Sequence, residues 1–333
     1  MQFGAVVLFA VSAASGGAFA GPVGGGPPIS LASPIACEVG KTCFIQQYAD
    51  HGKPGHAQDY HCGGRTYPGH DGTDFRAPDL AAERRGVNVL AAAAGVVLEL
   101  RDGMDDVSVD RIGQGAVKGR ECGNGVLVAH PGGWQTQYCH MMKGSVVVTR
   151  GQAVRTGQVL GQLGMSGDAA FPHLHLSVRH DRTPVDPFAY GAAPEACGGG
   201  ASLWSPAATA QFAYRYPAVI NRGFAGGPVS MDRVDEGDVP PPVAGSDALV
   251  AYVRAIGLNA GDLQSLTLAD PSGAVIARAD SPPLDHDKAQ WLIFAGVRRT
   301  GDWAAGAYTA TYVVTRGGGR ILVQRFDVRL PRL

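Results

Sequence analysis

The chain has 333 residues, a formal net charge of -1, 48 glycines, 22 prolines and 8% aromatics. Near-neutral charge without a basic stripe excludes a nucleic-acid binder held by phosphate contacts. The glycine and proline content describes a turn-rich, mainly β chain rather than a helical bundle, and the length allows two domains.

Residues 1–20 carry no charged side chain and run through Val6-Val7-Leu8-Phe9-Ala10-Val11 to Ala18-Phe19-Ala20, a small-x-small step before Gly21-Pro22. This reads as a secretory signal peptide, although no Lys or Arg precedes the apolar run. A membrane anchor is the rival reading, but the stretch is too short and glycine-rich to span well. No later apolar run is long enough to cross a bilayer. A periplasmic or secreted protein, with no integral span after cleavage, is therefore expected. All six cysteines lie beyond residue 20, which fits disulfides in an oxidising compartment. Cys37 and Cys43 are a natural local pair, and Cys122 and Cys139 flank a predicted hairpin. Cys62 and Cys197 would remain, tying the start of the following domain to its end. A cysteine metal site is disfavoured because no CxxC spacing occurs.

Residues 21–64 are read as an N-terminal extension with a disulfide loop, and 65–192 as the first folded domain. Val87–Leu100 reads as two strands broken near Gly95. A charged stretch from Arg101 to Gly123 reads as an excursion loop near a cleft. Gly125–His130 and Trp134–Met141, separated by Pro131-Gly132-Gly133, predict a β-hairpin. Ser145–Val148, Gln152–Val154 and Val159–Leu163 predict three more short strands. His173–Arg179 alternates cleanly and predicts a strand whose odd members share one face. Residues 193–244 read as a linker region, with a short helix within Pro206–Tyr216 and a Pro-rich break at Asp235–Pro242. From 245 to 333, six short strands predict a C-terminal β-sandwich of unknown role: Leu249–Arg254, Leu263–Leu268, Val275–Arg278, Trp291–Val297, Ala307–Thr315 and Ile321–Val328. His286, between Asp285 and Asp287, reads as solvated loop chemistry.

His70-Asp71-Gly72-Thr73-Asp74 and the later His173-Leu174-His175 supply imidazoles and a carboxylate, the ligand set of a catalytic zinc site that leaves one position to water. His70, Asp74 and one histidine of the later pair would form it. His173 and His175 lie two apart on a strand, about 7 Å at the backbone, and face one cleft; their spacing does not say which is the ligand. Gly72 lets the chain curl so that His70 and Asp74 converge. His140, in Tyr138-Cys139-His140, can enter the same cleft. A second imidazole opposite the metal would stabilise an oxyanion and protonate a leaving amine.

These residues resemble the lysostaphin-type (LytM-like) zinc endopeptidases over roughly residues 65–190. The resemblance rests on Gly69-His70-Asp71-Gly72-Thr73-Asp74-Phe75, Val89–Val96, Tyr138-Cys139-His140, Gly151-Gln152-Ala153-Val154 and Gly157-Gln158-Val159-Leu160-Gly161. Gly164-Met165-Ser166-Gly167, Pro172-His173-Leu174-His175 and Asp186-Pro187 complete it in the family's order. It implies His70, Asp74 and His175 as ligands of Zn2+, and His140 and His173 as catalytic residues. It further implies a small antiparallel β-sheet with a groove over the metal, acting on peptide stems or cross-bridges of bacterial peptidoglycan. Two features depart from the family: the 101–123 excursion is long, and Cys139 stands where a small residue is common, so a disulfide there would stiffen or restrict His140.

The resulting expectation is an exported zinc metalloendopeptidase of the cell wall. Its rivals are a non-enzymatic wall-binding regulator of other hydrolases and a zinc peptidase acting on proteins. Related domains act as activators after losing ligands, and here no ligand is missing. A metal-free β domain is disfavoured because five polar groups would be costly to bury. The C-terminal domain is a candidate surface for a protein partner. His51, His56, His130, His180 and His286 read as ordinary histidines. His51, His56, Asp59 or His61 are also candidates to block the open metal position, as a pre-domain residue does in some family members.

Overall fold

The computed structural model describes residues 28–193 and 195–331; the expected signal peptide lies outside them. Ten strands build the first half: β1 (Phe44–Gln47), β2 (Thr73–Arg76), β3 (Asn88–Leu90), β4 (Gly95–Arg101), β5 (Asn124–Ala129), β6 (Trp134–Met141), β7 (Ala153–Val154), β8 (Val159–Gln162), β9 (His173–His180) and β10 (Thr183–Val185). Eight of them form one antiparallel sheet in the order β1-β2-β9-β6-β5-β4-β7, with β10 added to β9, while β3 pairs with β8. The predicted hairpin is β5–β6, and the alternating histidine strand is β9, placed between β2 and β6.

Two short helices lie within this half, α1 (Leu80–Arg84) and α2 (Val109–Ile112), the latter inside the 101–123 excursion. The core under the sheet joins Phe75, Val126, Val128, Leu174, Leu176 and Val178 to Leu31, Ile35, Trp204 and Phe212 from outside residues 65–192. Flanking segments therefore complete this core, and β1 of the supposed extension is an edge strand of the sheet. The expected strand at Ser145–Val148 does not form. Asp102 takes the N–H groups of Gly144 (2.7 Å) and Val146 (3.2 Å), so side-chain oxygen replaces a ladder partner.

The chain continues through α3 (Pro206–Gln211), β11 (Ala218–Ala225) and α4 (Met231–Glu236). Residues 193–244 are thus more than a linker: β11 pairs along β12 (Ala248–Leu258), which pairs with β15 (Lys288–Arg298). A second sheet runs β14 (Val275–Asp280), β13 (Leu263–Ala269), β16 (Gly306–Arg316), β17 (Gly319–Leu330). The two sheets share a core of Leu249, Ala251, Val253, Leu266, Leu268 and Tyr312, the two-layer packing that alternating strands require. All six predicted C-terminal strands are present. Among the described residues no helix is long and apolar enough to cross a membrane.

Three disulfides form, Cys37–Cys43, Cys62–Cys197 and Cys122–Cys139, the pairing that the cysteine positions suggested.

Candidate metal centre

The three central strands set the site. Asp74 on β2 is paired in register with His175 on β9, and His175 with Cys139 on β6, so His140 follows one residue beyond that row. His70 arrives from the loop before β2. Gly72 supplies space rather than an unusual turn: a Cβ there would lie 2.6 Å from His175 Nε2 and 2.6 Å from the Leu176 carbonyl oxygen. The backbone packs directly against the imidazole.

His70 Nε2 and Asp74 Oδ1 lie 3.2 Å apart, His70 Nε2 and His175 Nδ1 3.2 Å, and His175 Nδ1 and Asp74 Oδ1 2.9 Å. Zinc bonds of about 2.0–2.1 Å at tetrahedral angles place donor atoms about 3.3 Å apart, so the triangle fits that ion. Among the described residues these three form a cluster able to hold a metal, and no fourth His, Cys, Asp or Glu joins it.

Hydrogen bonds orient each ligand. The His70 Nδ1–H donates to the Tyr48 carbonyl (2.7 Å), which leaves Nε2 its lone pair. The His175 Nε2–H faces Ser177 Oγ (2.9 Å) and Asp71 Oδ1 (3.2 Å), which leaves Nδ1 free. Burial acts to raise the Asp74 carboxyl, but the charges of His70 and His173, and the bonds that His175 and His70 donate to it when their rings carry a second proton, hold it well below the carboxylate range. For His175, burial works against a charge, but bonds to Asp71 and Asp74 prevail and push it up to about 9. Ion and proton would compete for that nitrogen.

Opposite stand two further imidazoles, with His140 and His173 ring centroids 4.6 Å apart. Each donates Nδ1–H to a carbonyl at 2.8 Å, Ser166 for His140 and Phe171 for His173. Their Nε2 atoms are therefore basic. Burial pulls His140 well below the usual histidine value, aided by the charges of His173 and His175. Burial lowers His173 as well, despite Asp74, whose Oδ1 is 3.6 Å from its Nε2. Burial thus disfavours the protonated form of both rings. The five residues singled out in sequence thus meet at one place.

The cleft above them has a volume of about 400 Å³ and is bordered by Tyr67, Glu121, Cys122, Asp168, Ser177 and Arg179. A second hollow of about 410 Å³ lies beyond Asp71, bordered by Asp50, His51, Asp186 and Glu195. The candidate blocking residues do not enter the metal cluster. His51 Nε2 bonds Asp186 at 2.7 Å, Asp59 takes the N–H groups of His61 and Gly63 and the Tyr214 hydroxyl, His61 stacks on Tyr214, and His56 is exposed. Sequence reasoning missed Tyr67, whose half-exposed ring lies 4.5 Å from that of His70. It also missed Asp71 and Ser177, although Ser177 lies two residues from His175 on the same strand face.

Residues 68–187 match Peptidase family M23. A stretch of 123 residues is 31% identical to the peptidoglycan DD-endopeptidase ShyB of Vibrio cholerae, covering 37% of this chain and 23% of that protein. Another of 124 residues is 32% identical to the DD-carboxypeptidase/endopeptidase Mpg of Neisseria meningitidis, again 37% and 23%. The catalytic domain of lysostaphin from Staphylococcus simulans is 24% identical over 36% of this chain and 77% of that one, with a TM-score of 0.27. The matched part is under a quarter of the length of the two curated relatives. With the five residues in its order and one sheet carrying them, the 68–187 segment belongs to peptidase family M23, the lysostaphin-type peptidases.

Proposed function

We propose that the chain is an exported, zinc-dependent endopeptidase that hydrolyses peptide cross-links of bacterial peptidoglycan. The observation that carries this reading is the triangle of His70 Nε2, Asp74 Oδ1 and His175 Nδ1, facing the imidazoles of His140 and His173. In this reading His70, Asp74 and His175 hold the zinc. The ion supplies Lewis acidity and lowers the pKa of water at the site.

The chain's own groups do the rest. His140 and His173, disfavoured as cations by burial and locked by their Nδ1–H bonds, present Nε2 to the cleft. One takes the proton of the attacking water and returns it to the departing amine; the other, as N–H donor, stabilises the developing oxyanion. Asp71 and Ser177 fix the ring of His175. Substrate class is inferred from the relatives' names and from the open cleft, which admits an extended peptide. An extracytoplasmic location is supported by the three disulfides.

Mass spectrometry of muropeptides before and after digestion, with and without chelator, tests this. New free amines from cross-linked muropeptides, lost with chelator and restored by zinc, are expected. No cleavage of peptidoglycan by the zinc-loaded protein would overturn the reading and favour a wall-binding regulator; preferential cleavage of an unstructured protein would favour a general peptidase.

A further inference from the structure

Cys139 immediately precedes His140, and both the backbone and the ring of that histidine are tied to one short segment, residues 122–124. His140 has φ of 63°, a left-handed conformation in which Cβ crowds the following carbonyl. It is held from several directions. Its N–H donates to the Cys122 carbonyl (2.8 Å), and its carbonyl accepts from Gly164 N–H (3.0 Å). The residue before it is covalently joined to Cys122. Its ring donates to the Ser166 carbonyl; the hydroxyl of the same serine accepts from Asn124 N–H (2.9 Å) and donates to the Met141 carbonyl (2.8 Å). The zinc-donor rings make their orienting hydrogen bonds elsewhere, with Tyr48, Asp71 and Ser177, and the backbone of His175, which lies across from Cys139, is also held on its other side by β2. The other two disulfides involve no residue adjacent to the five site residues.

We propose that the Cys122–Cys139 disulfide positions His140 for catalysis, and that opening it lowers turnover while the zinc ligands stay in place. The proposal rests on the peptidase reading above. Cys139 is only 5% exposed and borders the metal cleft alone, whereas Cys122 is half-buried and borders both that cleft and a second solvent-open hollow over β4 and β5. A dithiol reductant therefore meets Cys122 first. Its thiolate attacks Cys122 Sγ and expels Cys139 as thiolate; its second thiol then closes to a cyclic disulfide and releases Cys122. Two electrons and two protons pass to the cysteines, and the dithiol is oxidised. Without the bond, nothing covalent holds the strained backbone at His140, and relaxation carries Nε2 out of line. A shift of about 1 Å at a reacting group costs roughly a hundredfold in rate.

The test compares zinc-loaded wild type with the C122S/C139S double variant, whose other two disulfides are intact. Three readouts are taken: kcat and KM on a purified cross-linked muropeptide, zinc content, and the imidazole N–H signals by nitrogen-15 NMR. Expected are a fall in kcat of at least tenfold, KM within threefold and unchanged zinc. The His140 Nδ1–H signal should move while those of His70 and His175 stay. A non-chelating phosphine reductant, with zinc content followed, should reproduce the loss in wild type but lower the C122S/C139S variant no further, and reoxidation should reverse it. A kcat within twofold of wild type with an unmoved His140 signal overturns the proposal. So does zinc lost in step with activity, which makes the bond merely structural. Should wild type cleave no muropeptide, the peptidase reading fails instead, and the NMR comparison alone decides whether the bond positions His140.

Discussion

At His140 both backbone and side chain are held away from their ordinary preferences, the backbone left-handed and the buried ring neutral. A non-glycine residue held there costs on the order of 1–3 kcal/mol, tolerated where surroundings over-determine it. Asp74 has a different task, since it closes the donor triangle. His140→Ala should therefore abolish turnover while zinc is retained, and Asp74→Ala should lose the metal; zinc analysis beside turnover separates them, and equal zinc loss would refute the division of roles. A second residue gives a pH test. Burial, with help from Asp106, raises the Glu83 carboxyl to about 7 from an ordinary 4.5. The folded state then binds more protons than the unfolded between those values, so stability falls as pH rises through 4.5–7. Glu83→Gln should remove that slope and stabilise the protein above pH 7 by about 1–3 kcal/mol, read from urea unfolding at pH 5 and pH 8. Three of the four site histidines and the aspartate were legible because HxGxD and HxH place donors at spacings with few other uses; His140 was legible only beside them. Tyr48 was not legible, because it acts through a backbone carbonyl that every residue carries.

Strands with a clean period of two were read closely: β5, β6, β9 and the six C-terminal strands all form where alternation places them. Elements whose partner is not a neighbouring strand were misread. Ser145–Val148 looks like a strand, but its Ser145 N–H turns back to the Met142 carbonyl, its Val146 N–H goes to Asp102 and its Val147 N–H makes a lone bond to Leu160, while β11 was hidden in glycine- and proline-rich sequence until β12 supplied its partner. β1 is the most consequential miss. It borders β2, and the Tyr48 carbonyl just beyond it orients His70. Trimming the chain up to residue 61 should therefore not activate the protein. The expected outcome is a lower melting temperature and at least tenfold weaker zinc binding, by calorimetry; higher activity after trimming would revive the blocking idea.

In the whole molecule, the C-terminal sheets meet the first sheet at its β1–β2 edge through buried polar groups. Arg76, two residues after Asp74, bonds Gln46 (3.0 Å) and Gln290 of β15 (3.2 Å) and lies over the Phe171 ring. Arg254 reaches the Pro78 carbonyl, Asn221 and Asp235. Burial and the nearby Arg254 charge lower Arg76 to about 9, and Asp235, with help from Asp79, offsets both guanidinium groups. Asp235→Asn should destabilise the folded protein by about 1–2 kcal/mol in denaturant unfolding, because it leaves Asp79 alone to offset two buried guanidinium groups, while the partial exposure of Asp235 screens its share. An effect below about 0.5 kcal/mol would mean that water already compensates them. Sequence periodicity carries no trace of this junction, since its members come from seven separate segments.

The bond between Cys62 and Cys197 spans 135 positions and makes the intervening polypeptide a covalent ring. A nick by a host or bacterial protease in the exposed 101–123 excursion would open that ring without freeing either piece. The severed halves would migrate as one species until a reductant is added, so damage at the rim of the cleft need not end in dissociation.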